Sequence, residues 1–315
     1  MRLWKTLVAA GLVALTGPVH AQEFPSGPVR IIVPFEAGDA IDGTARLLAD
    51  IMADEFGSPV IVQNIPGGGG AAGTAEALRS PADGQTLLMA STGALTARPI
   101  LSTSGYQTSD FKPIANLVDQ PIGLAVAASS PYQTLGELVE AAKAETLSYS
   151  TPAPGSTQHV SMADFASKNG LTLNHVGGQG GRGAITKALT GEVDFAFVGA
   201  SNYIGLAEGG QLRILGVASP ERLAFLSDAP TFKEAGFDFN ASVWFGLVVP
   251  QQTPEGPTEA LRETVEKVAQ SGKAAELYQK LNFEPNYMAA DAFQTRIDES
   301  VEQNRRILTA LGLVQ

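Results

Sequence analysis

Val29-Arg30-Ile31-Ile32-Val33-Pro34-Phe35 leads through Glu36-Ala37-Gly38-Asp39-Ala40 into Ile41, Ala45, Leu48, Met52 and Phe56 at helical spacing, and this stretch decides the fold class. The β-branched run reads as a buried strand and the apolar residues three or four apart as one helix face, which Gly57-Ser58-Pro59 ends. The same order recurs: Val60 to Gln63 is a strand and Ala71 to Arg79 a helix, and the strand Thr86 to Ala90 ends in Ser91-Thr92-Gly93. Strands alternating with helices predict an α/β protein whose mostly parallel sheet is flanked by helices and takes ligands at the carboxyl ends of its strands. Phe35, Gly38, Asp39, Ala40 and Asp42 lie at such an end, as does Ser91. Asp39, Asp42 and Ser91 are each either a helix cap or a ligand contact.

Further along, Ile114 to Val118 and Ile122 to Ala127 are extended pieces broken at Asp119-Gln120-Pro121, a plausible crossing between domains, and Ser242 to Pro250 is the return. Residues 22–120 with 242–315 then form lobe I, and residues 121–241 form lobe II. Within lobe II, Leu147 to Ser150 is a strand ending in a loop with Thr151, Ser156, Thr157 and Gln158, ahead of a helix from His159 to Lys168. Those hydroxyls either bind a carboxylate or cap the helix. Leu171 to Leu173 predicts a strand and Ala184 onward a helix, so His175 to Ala184 is a glycine loop at their junction. Such a junction binds anions, because glycine admits close backbone approach and the first N–H groups of a helix lack intrahelical partners. Gln179, Gly180, Gly181, Gly183 and Ala184 are its candidate contacts, and Arg182 either grips a carboxylate bidentately or is solvated. A third strand end carries Ser201 and Asn202.

Composition narrows the function. Residues 1–21, with Arg2 and Lys5 before the apolar run Leu7 to Leu15 and Val19-His20-Ala21 at the cut, read as a secretory signal. Its loss takes Lys and Arg from 21 to 19 against 32 acids, and the formal net charge from −11 to −13, which argues against nucleic acid. There is no Cys, hence neither lipid anchor nor disulfide, and no later apolar run is long enough for a membrane span. Gly68, Gly70, Gly73 and Gly178, Gly180, Gly183 match dinucleotide spacing, yet neither set has an acidic residue about 20 positions on to hold a ribose. No G-x-S-x-G elbow, thiol or metal-ligand spacing is present, and only His159 and His175 outlast signal removal. No catalytic residue, metal or cofactor is expected. An exported hydrolase and a nucleotide-binding protein are the alternatives to a binding protein.

Phe24-Pro25-Ser26, Asn64 with Pro66 and Gly67, Asp83 to Leu88, Gly155 to His159, Gly191 to Asp194, and Ser242 to Leu247 together carry a resemblance along essentially the whole mature chain. It resembles the periplasmic solute receptors of tripartite tricarboxylate transporters, typified by the Bordetella uptake receptors. The resemblance implies a two-lobed periplasmic binding protein fold that closes on a hinge. A small organic di- or tricarboxylate would be clamped between the Phe35 to Asp42 and Val176 to Ala184 loops. It further implies a monomer that delivers its ligand to membrane-embedded permease subunits without catalysis. Two departures mark where selectivity of this chain is expected: Gly38-Asp39-Ala40 replaces consecutive glycines, and residues 177–183 carry Arg182 in place of an aromatic and a lysine.

Overall fold

The computed structural model describes residues 24–101 and 104–314; the signal expected at 1–21 lies outside them. In chain order the first elements are β1 (Val29–Val33), α1 (Ala40–Phe56), β2 (Val60–Asn64), α2 (Ala71–Arg79), β3 (Thr86–Ser91), a short α3 (Arg98–Leu101) and β4 (Phe111–Ala127). There follow α4 (Leu135–Ala144), β5 (Leu147–Thr151), α5 (Thr157–Asn169), β6 (Leu173–Gly177), α6 (Gly180–Leu189), β7 (Phe195–Gly199), α7 (Ile204–Glu208) and β8 (Leu212–Val217). The chain ends with β9 (Ser242–Pro250), α8 (Glu255–Ala269), α9 (Gly272–Lys280), β10 (Glu284–Ala289) and α10 (Ala290–Ala310).

Strand order is β2-β1-β3-β9-β4-β7-β5-β6, with β8 and β10 also paired to β4. β1 is parallel to β2 and β3, and β5 is parallel to β6 and β7, so each half of the molecule keeps the parallel strand-helix repeat. The halves meet on β4, which is one continuous strand rather than the two pieces expected. Its residues up to Pro121 pair with β9, and Ala115 to Asp119 also register with β10; from Ile122 onward it pairs with β7 and β8. Pro121 falls where the ladder changes partners, the place at which a residue without an N–H costs least.

One apolar core runs through both halves, from Ile31 and Leu48 to Phe165 and Phe232, and aromatic pairs pack at each end. In one half Trp244 meets Phe293 edge-on at 5.1 Å, both fully buried. In the other, Phe165 and Phe232 each meet Phe239 at a tilt, with ring centroids 5.0 Å apart. Such aromatic pairs add about 0.5–1.5 kcal/mol each beyond their buried area.

Two boundaries differ from the periodicity. β6 runs Leu173–Gly177 because it registers residue for residue with β5, Leu147 to Leu173 through Thr151 to Gly177, so His175 and Gly177 are strand residues. α6 starts inside the glycine run, at Gly180. α9 and β10 occupy a stretch that the sequence reading passed over; β10 is short and bulged, has no fully buried residue and shows no alternating pattern.

Candidate ligand-binding cleft

A cavity of about 670 Å³ lies between the two halves, at the carboxyl ends of their strands. Small-molecule sites typically fall within roughly 300–1,000 Å³. From the first half come Phe35, Glu36, Asp39 and Ala40 after β1, Gly67 to Gly70 after β2, and Ser91 and Gly93 at the end of β3. The second half supplies Pro152 and Ala153 after β5, Ser156, Thr157 and Gln158 at the start of α5, Gly178 to Gly181 at the start of α6, and Asn202. Gln120 of β4 with Val243 and Phe245 of β9 completes the lining. Three helices, α1, α5 and α6, therefore aim their N-termini into one space. Each end carries roughly half a positive charge and N–H groups without intrahelical acceptors.

Local chemistry holds each loop in place. Asp42 is buried in the first turn of α1, where its carboxylate accepts from Gly38 N at 2.8 Å, Arg46 Nε at 3.0 Å and Asn64 Nδ2 at 2.9 Å. Burial pushes its pKa up, but the hydrogen bonds outweigh burial and hold it below the usual carboxylate value. Asp42 thus ties the loop to α1 and β2. Asp39, at the N-cap position, makes no side-chain capping bond and is left facing the cavity. Burial raises its pKa; Arg182 opposes that, and Glu36 and Asp42 add to it.

On the opposite wall, Ser156 caps α5 by accepting from His159 N at 3.3 Å. Thr151 Oγ1 lies 2.8 Å from His175 Nε2, and Gly155 N donates to His159 Nδ1 at 3.0 Å. The two imidazoles stack at 3.9 Å beneath this loop. Burial lowers both pKa values, with His175 brought to about 4, and a neutral ring is what lets His159 Nδ1 accept. Gly178 N donates to Thr151 O at 2.8 Å and Gly180 N to Pro152 O at 3.0 Å, so the two loops of this wall are joined through backbone. Thr157 Oγ1 is buried, lines the cavity and has no hydrogen-bond partner.

Of the candidate residues, Phe35, Asp39, Ala40, Ser91, Ser156, Thr157, Gln158, Gln179, Gly180, Gly181 and Asn202 line the cavity. Gly38, Asp42, Arg182 and Ser201 do not; they border an adjoining groove of about 600 Å³ together with Lys280. Thr151 and Ala184 are fully buried behind the wall, and Gly183 is outside it. Arg182 misses the cavity for a geometrical reason. Because α6 begins at Gly180, Arg182 belongs to its first turn, and the helical rotation of about 100° per residue carries its side chain to an exposed face.

Several lining residues escaped the sequence reading. In the sequence, Gly68 and Gly70 read only as part of a weak nucleotide pattern and Gly67 only as part of the family resemblance. Gln120 enters from β4 because Gly199 leaves room beside it, and its Nε2 donates to Ser201 Oγ at 2.8 Å, so Ser201 bears on the cavity through Gln120. Arg98 is not itself a lining residue: it packs behind the cavity surface against Gly69 and Gly155, with a buried Nε that has no partner. No sequence pattern marked it.

A two-halved α/β fold with a ligand-sized cavity of helix N-termini at the crossing defines a solute-binding protein. The chain belongs to the tripartite tricarboxylate transporter family of receptors, whose family model matches residues 44–313. It is 30% identical over 310 residues to the UPF0065 protein in the gbd 5′ region of Cupriavidus necator, covering 98% of this chain and 94% of that one. Protein BugT of Bordetella pertussis is 28% identical over 312 residues, covering 97% and 95%. Among solved structures, a periplasmic transporter superposes with a TM-score of 0.85 at 28% identity over 92% of this chain and 99% of that one. The R. palustris protein Rpa4515, solved with adipate, gives 0.86 at 25% identity over 93% and 99%. Among the described residues no helix is long and apolar enough to cross a membrane, and no cluster of His, Cys, Asp and Glu suits a metal.

Proposed function

We propose that this chain is a periplasmic receptor that captures a small organic di- or tricarboxylate in the cleft and delivers it to a membrane permease. The observation that carries the reading is the convergence of the α1, α5 and α6 N-termini on one cavity, with the unpartnered Thr157 hydroxyl among them. Backbone N–H groups and helix dipoles at contact suit a carboxylate even on an acidic protein, whose long-range field is screened over about 8 Å at physiological ionic strength. Adipate in the related Rpa4515 is a ligand of this class. Residues 22–120 with 242–315 act as lobe I and residues 121–241 as lobe II, moving about the crossings. The change of partners along β4 at Pro121 and the start of β9 at Ser242 support that division.

Thermal shift and calorimetry against citrate, C4 dicarboxylates and aromatic dicarboxylates, with a sugar and a simple amine as controls, test the reading. A ligand at 100 times its Kd adds about 2.7 kcal/mol of stability. A response to a sugar or amine and to no carboxylate would reject it. Small-angle scattering tests closure: the radius of gyration should fall on ligand addition.

A further inference from the structure

The charges that line the cleft do not match a simple dicarboxylate. Glu36 and Asp39 both face the cavity, and no Lys, Arg or His stands among the described residues lining it. Asp39 comes from the first half, yet its carboxylate reaches across to α6 and lies 3.8 Å from where a Cβ on Gly180 would stand. No side-chain capping bond engages it, and no ion pair at 4.0 Å or less joins it to a described cation. Arg182 acts on it only at longer range, from the outer groove. On the other wall Thr157 is a lining residue whose Oγ1 is buried beside Gly93 without a partner. The Asp39 carboxylate is thus left without a protein partner in a space where three helix N-termini already favour carboxylate.

We infer that the carboxylate taken by this cleft also bears a cationic nitrogen, which Asp39 receives while the helix N-termini hold the carboxylate groups. The inference rests on the carboxylate-receptor reading. Its physical logic is a balance of charge. The Asp39 carboxylate is half-buried and has only water to satisfy it, and a ligand of two negative charges placed beside Asp39 and Glu36 adds repulsion that helix ends alone must offset. An ammonium on the ligand removes the repulsion and supplies the charge-assisted hydrogen bonds that Asp39 lacks. The loop permits this because Asp42, not Asp39, secures the start of α1, so the Asp39 side chain is not needed to hold the fold.

Matched probes test it: succinate against aspartate, glutarate against glutamate, and β-alanine and 4-aminobutyrate as amines with one carboxylate, each titrated by calorimetry into the wild-type chain, Asp39→Asn and Glu36→Gln. Asparagine is a good N-cap, and a melting curve of each unliganded variant reports its folding. The expected result is a preference of at least tenfold for an amine-bearing acid over its nitrogen-free partner. Asp39→Asn should reduce that preference at least tenfold while the nitrogen-free acid binds as well as before or better. If the nitrogen-free acids bind wild type more tightly than their partners, or if Asp39→Asn weakens both classes equally, the amine inference is overturned and the carboxylate receptor stands. Silence from every acid in both series would instead overturn the receptor reading and this inference with it.

Discussion

The glycines at 178, 180 and 183 share one spacing but meet three different surroundings, and single alanine substitutions should separate them. A Cβ on Gly178 would lie 2.6 Å from Ala184 N and 2.8 Å from its Cα. Ordinary carbon contacts begin near ~3.5 Å, so backbone must part by roughly 0.9 Å, and backbone cannot escape by changing rotamer. Overpacking of this kind costs about 1–3 kcal/mol. In a chain of this size each kcal/mol lowers the melting temperature by roughly 2–4 °C. The displaced segment is the first turn of α6, tied by Gly178 N and Gly180 N to the Thr151 loop, so both elements of that cavity wall move. Gly178→Ala should therefore lose carboxylate affinity at least tenfold, about 1.4 kcal/mol, in addition to stability. Gly180 has φ of 82° and ordinary space around it, so alanine there strains the backbone by about 1–2 kcal/mol without a collision. A Cβ on Gly183 would make ordinary contacts, with Gln179 Cβ at 3.7 Å and Gly178 C at 3.9 Å, within a helix, and Gly183→Ala should stabilise by about 0.5–1 kcal/mol with binding unchanged. Melts followed by circular dichroism, paired with calorimetry on the best carboxylate of the screen, read all three. A Gly178→Ala variant indistinguishable from wild type, or a Gly183→Ala variant as damaged as it, would refute the reasoning.

Acid should loosen the wall built on the stacked histidines: because burial lowers both pKa values below the unfolded value of about 6.5, the unfolded chain binds more protons, and stability falls as pH drops from about 6.5 towards 4. His159→Gln, assayed by melting across that range, should flatten the dependence; an unaltered slope would remove His159 from the account. Asp42→Ala should cost about 2–4 kcal/mol in a denaturant titration, because it strips acceptors from Gly38 N, Arg46 and Asn64 in a buried setting. Its lowered pKa means that this contribution is fully present above the unfolded carboxylate value near ~3.9 and is lost as pH falls below that and through the lower folded value. Arg182→Ala should change carboxylate affinity less than about fivefold, since an exposed charge contributes up to ~1 kcal/mol; a loss of tenfold or more would put the guanidinium on the ligand.

Much of the architecture was legible because strand and helix periods are properties of short windows. β1 with α1, and α2 between its loops, stand out in β-branched runs and 3.6-residue spacing. β4 was split at Pro121 because a proline signals a break locally, whereas its tolerance depends on which strands lie alongside, and that is tertiary information. The start of α6 was misplaced for a related reason. Glycines weaken a helical pattern, yet Gly181 and Gly183 are helical here, with Gly181 packed so closely on Asn202 that a side chain would not fit. Four residues of displacement place Arg182 on an exposed face of the first turn of α6, the solvated one of its two expected settings.

The same reasoning sharpens what the cleft selects. Loop positions were readable as an anion site because strand-to-helix junctions have a generic chemistry, but generic chemistry does not discriminate among carboxylates. Discrimination has to come from side chains that reach the cavity, and the fold admits few: Asp39 and Glu36 with charge, Gln120, Gln158, Gln179 and Asn202 with amides, and Ser91, Ser156 and Thr157 with hydroxyls. Of the two departures from the family pattern, Asp39 lines the cavity and Arg182 borders the adjoining groove. Their influence is nonetheless coupled, because Arg182 counteracts the burial that raises the Asp39 pKa. Neutralising Arg182 should leave Asp39 protonated at a higher pH than in the wild type. If Asp39 receives a cationic nitrogen, Arg182→Ala will shift the acid limb of amine-bearing ligand binding to higher pH while leaving nitrogen-free acids unshifted. An equal shift for both classes would place the titrating group elsewhere.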